Sequence, residues 1–395
     1  MSKSKNGNGH AGSAVFGSPD RVLVKRGLAE FRSGRPVVFS SQDRFLVALP
    51  VDGLTDARLH AFEYLCASQA PRLVVTARRA RALALEANGP VALKLAEGIG
   101  AAAIYSLVAD ADPDEGAELD GPADERAAAA IELAKIAQRL PALLVADIAG
   151  PSAAMVEPPL VVVGADAVMK FRRDDASSLE IAGEAKVPLQ GGLSTRFVVF
   201  RDAVGGGSVA VIVGDPDFSK PVPVRLHSAC LTGDVFGSSR CDCGDQLRLA
   251  TKRLNEEGGG VILYLEQEGR GLGLANKMRA YALQDAGLDT VDANTTLGFD
   301  DDERDYGIAA RMLQQLGCTR IYLMTNNPAK LNGLSGLGIE VVGRKPLQAP
   351  INAHNRRYMT AKAMRAGHKL DHLMAALAAE AGEVQTVARA AEEVR

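Results

Sequence analysis

The stretch that decides the fold is residues 222–265, VPVRLHSACLTGDVFGSSRCDCGDQLRLATKRLNEEGGGVILYL. It opens on an apolar run, Val222 to His227, that reads as a strand ending at a cysteine-bearing turn. From Asp245 to Glu257 the residues Leu247, Ala250 and Leu254 fall at helical spacing, and Gly258-Gly-Gly260 stops that helix. Val261 to Leu265 is a second strand. Strand, helix and strand in succession predict a mixed α/β domain.

The same alternation continues outward. Val209 to Val213 reads as a strand upstream. Downstream come a helix across Leu272 to Ala286, a strand at Ile321 to Met324, and Asn327-Pro328, an Asn cap with Pro at the first helical position. The first half carries strands at Pro36–Ser40, Arg72–Thr76 and Leu160–Val163, and helices at Ala57–Ala67 and Asp124–Leu140. The acidic run Asp112 to Asp124 reads as a solvated loop. Composition turns polar around Asp174 to Pro188. The expected class is therefore α/β (mixed α+β) in two domains, the second a mixed sheet with flanking helices. Its expected segments are a disordered leader over 1–18, domains over 19–181 and 185–372, and a helical or flexible tail over 373–395.

With 395 residues, 47% hydrophobic and 24% charged, the chain is long enough for two cores. A formal charge of −3 does not favour a nucleic-acid partner. Five cysteines, three of them clustered, argue for a reducing compartment rather than a disulfide framework. The first 18 residues lack the apolar core of a secretory signal, and no run of about 20 uncharged apolar residues occurs. The expectation is a soluble cytoplasmic protein with no membrane partner.

Chemistry concentrates in four places. Cys230, Cys241 and Cys243 are enough sulfur for a metal and one ligand short of a closed zinc site; three protein ligands leave a position for water. A Cys-x-Cys pair can serve one metal if it lies in a turn, which Gly244, Asp242 and Asp245 favour. His227 could supply the fourth ligand or contact a substrate, and both remain open. Second, Glu266 to Gly273 offers backbone that a ligand can approach closely, beside Arg270. Third, Thr325 and Lys330 flank a helix start, which favours an anion. Fourth, Arg304 sits in the acidic run Asp300 to Asp305 and could present its fork to a phosphate. Tyr281 lies one turn beyond Lys277, on the same helix face.

Four runs, RLHSACLTGDVFGSSRCDCGDQL, YLEQEGRGLGLANKMRAYALQDAGLDTVDAN, LGFDDDERDYGIAARML and LMTNNPAKLNGL, together closely resemble GTP cyclohydrolase II over roughly Ala185 to Lys369. The resemblance implies conversion of GTP to 2,5-diamino-6-ribosylamino-4(3H)-pyrimidinone 5′-phosphate, formate and pyrophosphate, the opening of riboflavin biosynthesis. It implies zinc on Cys230, Cys241 and Cys243, lowering the pKa of water to about 7 for attack at carbon 8. Tyr281 falls where the family places a tyrosine assisting ring opening. Asp302 and Arg304 fall at the positions of proton acceptor and nucleophile for pyrophosphate release, with magnesium on the phosphates. A guanidinium stays protonated, so Arg304 could equally stabilise phosphate charge while Asp302 orients it. The GTP-contacting positions map to Arg225, Leu226, His227, Ser228, Ala229, Gln246, Glu268, Gly269, Arg270, Thr290, Thr325 and Lys330. Family habit implies a homodimer. One departure is His227-Ser-Ala229-Cys230, where the commonest motif has Glu in the place of Ala229.

The run Leu28 to Phe39, LAEFRSGRPVVF, resembles the opening of 3,4-dihydroxy-2-butanone 4-phosphate synthase. The dense acidic motif for magnesium should follow, but Ser40-Ser-Gln-Asp43-Arg44 stands there, and His60 is the only histidine between Pro19 and Ile181. A degenerate domain without synthase activity is expected, kept for folding, dimerisation or regulation. Two rivals remain open for the second half. One is a silent nucleotide-binding regulator of flavin synthesis; the other is an enzyme that opens the ring without losing pyrophosphate. A zinc module for nucleic acid lacks both knuckle spacing and a basic, aromatic surface.

Overall fold

The structure is a computed structural model that describes residues 17–373 apart from 67–68, 115, 150–156, 175–177, 203–204, 366, 368 and 371–372. The expected leader up to 16 and the expected tail beyond 373 lie outside the described residues. The chain divides into two compact units, each discontinuous in sequence. Of the described residues, those within 1–175, 270–288 and 292–303 form one, and those within 176–269, 289–291 and 304–395 the other.

The first unit opens with α1 (Pro19–Arg32), which has Pro at its start and Asp20 in its first turn. A hairpin follows, β1 (Val37–Ser41) and β2 (Arg44–Pro50), then α2 (Asp56–Cys66), β3 (Arg72–Val75) and α3 (Ala77–Ala82). After these come β4 (Val91–Lys94), α4 (Ala101–Ala109), β5 (Glu118–Pro122), α5 (Glu125–Ile136), β6 (Ala142–Ile148), β7 (Val162–Gly164) and α6 (Ala165–Asp174). The sheet runs β5-β4-β3-β6-β2-β1-β7, antiparallel except for β1 with β7. Asp124 caps α5 by accepting from the backbone N–H of Arg126 and Ala127. The expected solvated loop at Asp112–Asp124 is corrected here. Its second half is β5, an edge strand whose Glu118 pairs with Lys94 on β4.

The second unit begins with β8 (Glu180–Lys186), β9 (Thr195–Arg201), β10 (Val209–Gly214) and β11 (Val222–Ser228). The polar stretch expected around Asp174–Pro188 contains β8, which pairs antiparallel with β9 and exposes all seven of its residues. Beyond β11 lie the cysteine turn, α7 (Cys243–Glu256) and β12 (Gly259–Leu265). Close approach explains the glycines at the start of β12: a Cβ on Gly260 would lie 2.5 Å from the Pro223 carbonyl.

From Arg270 the chain joins the first unit. Here α8 (Leu274–Asp285), α9 (Thr290–Thr296) and the loops beside them contribute Leu272, Ala280, Ala293, Leu297 and Phe299 to one core with Val47, Leu73, Ile104 and Leu144. The chain then returns through α10 (Tyr306–Gln315), β13 (Arg320–Met324), α11 (Pro328–Ser335), β14 (Glu340–Lys345) and α12 (Arg356–Met364). The second sheet runs β14-β13-β11-β12-β10-β9-β8. Its β14, β13, β11 and β12 are mutually parallel and the rest antiparallel, so this is the expected mixed sheet.

Candidate metal and nucleotide site

The parallel core strands of the second unit end together, which is where open α/β sheets place ligands. Strand β11 ends in Arg225, His227 and Ser228, and two residues later the chain turns at Cys230. The Sγ atoms of Cys230, Cys241 and Cys243 all lie within 4.8 Å of one another, with Cys230 and Cys241 at 3.8 Å. Cys241 stands in the turn before α7 and Cys243 is the helix's first residue, so the i, i+2 pair avoids the divergence a helix would impose.

Two glycines close this pocket. Gly233 lies in a wide helical turn, Leu231–Val235, and a Cβ there would sit 2.8 Å from Cys241 Sγ and 3.1 Å from Cys230 Sγ. A Cβ on Gly244 would meet the Gly233 carbonyl oxygen at 2.2 Å. Hydrogen bonds with Cys230 and Cys241, then burial, push the Cys243 thiol well above its ordinary value. The bond with Cys230 is the first cause of the rise at Cys241. Three thiols crowded in this way suit a soft divalent cation, which would stabilise their thiolates.

His227 has its Nε2 at 3.1 Å from both carboxylate oxygens of Asp234. Asp234 also accepts from the Cys230 N–H at 2.9 Å and the Tyr264 hydroxyl at 3.0 Å. Residues 227 and 264 are register partners on β11 and β12, and their rings stack at 5.6 Å. Burial pulls the His227 pKa down, and the Asp234 bond only partly offsets it, so the ring is neutral near pH 7. With Nε2–H donating to Asp234, Nδ1 is a bare acceptor, buried and without a hydrogen-bond partner. The group placed to hold a metal comprises the three cysteines, so His227 stands outside it among the described residues.

Two more buried polar atoms of this strand end, Arg225 Nε and Ser228 Oγ, lack partners. Leaving such an atom unpaired costs about 1–3 kcal/mol, which a bound ligand would relieve. Arg225 donates through Nη1 to the Met324 carbonyl at 3.0 Å and through Nη2 to Gln246 Oε1. Burial lowers its pKa to about 10, which keeps it charged at neutral pH. Gln246 passes the chain on to Asp242, which accepts from Lys362 Nζ at 2.7 Å.

Leu226 is fully buried, and its carbonyl accepts from Lys330 Nζ at 2.8 Å. Lys330 is therefore a buried lysine rather than a solvated one. Thr325 is buried at the end of β13 and accepts from the Asn327 N–H at 3.0 Å. The N–H of Ala229 is committed to the Leu265 carbonyl. Glu268 accepts from the Leu231 and Gly269 N–H groups, at 2.7 and 3.0 Å, so its carboxylate ties down the turn over the thiols. Arg304 lies with its guanidinium 5.8 Å from the Tyr306 ring. Thr290 opens α9.

Arg270, Tyr281 and Asp302 belong to the first unit. Arg270 has φ of 64°, unusual for a side chain-bearing residue. Its Nη1 donates to the Asp301 carbonyl at 3.3 Å, and its own carbonyl accepts from the Glu303 N–H at 3.1 Å. Lys277 Nζ lies 5.7 Å from the Tyr281 ring, as their spacing requires.

Sequence reasoning misses Asp234, Tyr264, Gly233 and Lys362. Asp234 and Gly233 stand inside the cysteine motif, where convergence on one pocket was the available signal. Lys362 carries none, since 120 positions separate it from Asp242.

The family model described as GTP cyclohydrolase II matches residues 180–346. A GTP cyclohydrolase-2 of Azospirillum brasilense is 43% identical over 362 residues, 87% of this chain and 93% of that one. A GTP cyclohydrolase-2 of Azotobacter vinelandii is 50% identical over 209 residues, 53% of this chain but 98% of its own length. A solved two-domain 3,4-dihydroxy-2-butanone 4-phosphate synthase, RibBX from A. baumannii, superimposes at a TM-score of 0.32 with 15% identity, too loose a likeness to assign the first half.

Proposed function

The chain belongs to the GTP cyclohydrolase II family, and from that premise we propose that it opens the imidazole ring of GTP at a zinc centre on Cys230, Cys241 and Cys243. The products are formate, pyrophosphate and 2,5-diamino-6-ribosylamino-4(3H)-pyrimidinone 5′-phosphate, in the first step of riboflavin biosynthesis. The observation that carries this reading is the convergence of three thiols beside three buried, unpartnered polar atoms at one strand end.

When bound, zinc supplies Lewis acidity that brings the pKa of water to about 7. The chain's own residues do the rest. Arg225 Nε offers a charged donor, His227 Nδ1 an acceptor and Ser228 Oγ either, a mixture suited to a ligand bearing both N–H groups and oxygens. Gln246, Thr325 and Lys330 border the same strand ends. Glu268 holds the turn closed, and Leu226 and Ala229 contribute main chain. Gly269, Arg270 and Thr290 complete the GTP contacts. Tyr281 moves or orients a proton during ring opening. Arg304 remains a cation, so in this reading it stabilises charge at the α-phosphate, and Asp302 orients it or accepts the proton of the attacking water. Magnesium on the phosphates and assembly as a homodimer are carried over from the family.

The first half we read as a former synthase domain without synthase activity. Its carboxylates at one sheet end are held by arginines: Arg126 bonds Asp124 and Asp147, and Arg72 bonds Asp147 and lies near Asp120. Carboxylates neutralised in this way are poor magnesium ligands. Among the described residues no helix is long and apolar enough to cross a membrane.

The test is a mass-resolved assay of zinc-loaded protein with GTP and magnesium, scoring formate and pyrophosphate separately. Both products with the pyrimidine monophosphate establish the reading. Formate without pyrophosphate reduces the reaction to ring opening and removes Asp302 and Arg304 from it. Bound GTP with neither product makes the chain a silent regulator.

A further inference from the structure

The segment carrying Tyr281 and Asp302 packs into the first half of the chain, and its polar anchors are as specific as its apolar ones. Thr76 Oγ1 donates to the Gly298 carbonyl at 2.7 Å, and Arg79 Nη1 to the Thr296 carbonyl at 2.9 Å. Arg79 is 1% exposed, and its other nitrogens bond the Leu107 and Ser106 carbonyls. Arg78 Nε meets Asp300 at 2.8 Å. Lys135 and Arg172 grip the two oxygens of Glu303 at 2.7 and 3.0 Å. Glu303 stands between Asp302 and Arg304, its side chain 7% exposed. Further along, Arg279 on α8 donates to the Tyr105 hydroxyl at 3.1 Å and to Asp52 at 2.6 Å, while Asn276 reaches the Gln138 carbonyl at 3.0 Å.

A side chain at either of two motif glycines would crowd this neighbour. A Cβ on Gly273 would lie 2.7 Å from Gln138 Oε1, and one on Gly298 would lie 3.0 Å from Thr76 Oγ1. Both have positive φ, so a side chain would also be strained.

We propose that Thr76, Lys135 and Arg172 of the first half are positioning residues for the cyclohydrolase reaction, holding Asp302 through the Gly298–Glu303 loop, and that Tyr105 does the same for Tyr281 through Arg279. This rests on the roles given to Asp302 and Tyr281 above. The first half is then retained as a bracket for catalytic groups rather than for a second reaction. Misplacement by a fraction of an ångström lowers a rate without weakening ground-state binding to the same degree.

The experiment uses the full-length, zinc-loaded chain and measures kcat and KM for formate and for pyrophosphate in Asp302→Asn, Tyr281→Phe, Lys135→Met, Thr76→Val and Tyr105→Phe. Lys135→Met and Thr76→Val are expected to lower kcat for pyrophosphate by about ten- to a hundred-fold, with KM for GTP within about two-fold. Thr76→Ser, which keeps the hydroxyl, restores the rate. Tyr105→Phe instead lowers formate release. If Asp302→Asn slows pyrophosphate but Lys135→Met and Thr76→Val, folded by circular dichroism and thermal melting, do not, the bracket is overturned and the site reading stands. If Asp302→Asn and Tyr281→Phe are both as active as the parent, the site reading fails and the bracket falls with it. Should Lys135→Met fail to fold, the single-hydroxyl deletions Thr76→Val and Tyr105→Phe decide.

Discussion

Lys362 and Asp242 form a buried ion pair, Nζ to Oδ1 at 2.7 Å, across 120 positions of chain, and the carboxylate stands between two of the three cysteines. Burial pushes the Asp242 carboxyl up, but the Lys362 ammonium outweighs it and holds the group below the usual range. Lys362 also lies 4.3 Å from the Tyr358 ring. Helix α12 thereby fastens the cysteine turn from outside. Lys362→Met would strand the carboxylate and cost about 3–5 kcal/mol by denaturant unfolding, with lowered zinc content. Asp242→Asn combined with Lys362→Met should recover most of that loss; no recovery would show that the pair does not act as a unit.

Gly233→Ala would put a methyl group against two of the thiols. The expected outcome is a folded protein that binds zinc poorly and makes no formate, checked by metal analysis after dialysis. A full equivalent of zinc in this variant would mean that the turn over the thiols moves freely.

Zinc uptake should release protons. The Cys241 and Cys243 thiols are both raised, so they are protonated in the metal-free protein at pH 7 and must ionise to bind. Calorimetric titration in buffers of different ionisation enthalpy should show the release, with affinity rising steeply from pH 6 to 8. A buffer-independent heat would place the metal elsewhere.

Stability should fall on the acid side through His227. Its folded pKa lies below the ordinary 6.5, so the unfolded state binds more protons and the stabilisation is complete only above 6.5. As pH falls from there towards the folded value it is lost, at up to about 1.4 kcal/mol per pH unit. Urea unfolding of metal-free protein between pH 7.5 and 5.5 should show this slope, and His227→Gln should flatten it. Equal slopes would assign the acid sensitivity to another group.

Much of this site can be read in the sequence because its three thiols are close along the chain. Cys230, Cys241 and Cys243 span fourteen positions, and α7 announces itself between them and β12. The strand β8 cannot be read in that way: all seven residues are exposed, so no apolar alternation marks it, and only pairing with β9 makes it a strand. The edge strand β5 hides for the same reason within an acidic run. The helix α8 is legible as a helix, but its spacing does not say which core receives Ala280 and the Leu272 just before it. That depends on contacts more than a hundred positions upstream. Asp234 lies within the cysteine motif, but its role as a hub is hidden, because its three partners come from two strands and a turn.

The detour of residues 270–303 also sets an order of assembly. As the chain is synthesised, residues 19–174 can form their sheet early, but that core lacks Leu272, Ala280, Leu297 and Phe299 until they too have left the ribosome. The second unit is interrupted over the same interval, with β12 made and its parallel partner β11 in place but β13 still to come. Neither half can finish before the other has lent or received that segment. A nick or an insertion at the tip of α8 should therefore damage both halves at once, and thermal melting should show one transition where two domains would ordinarily give two.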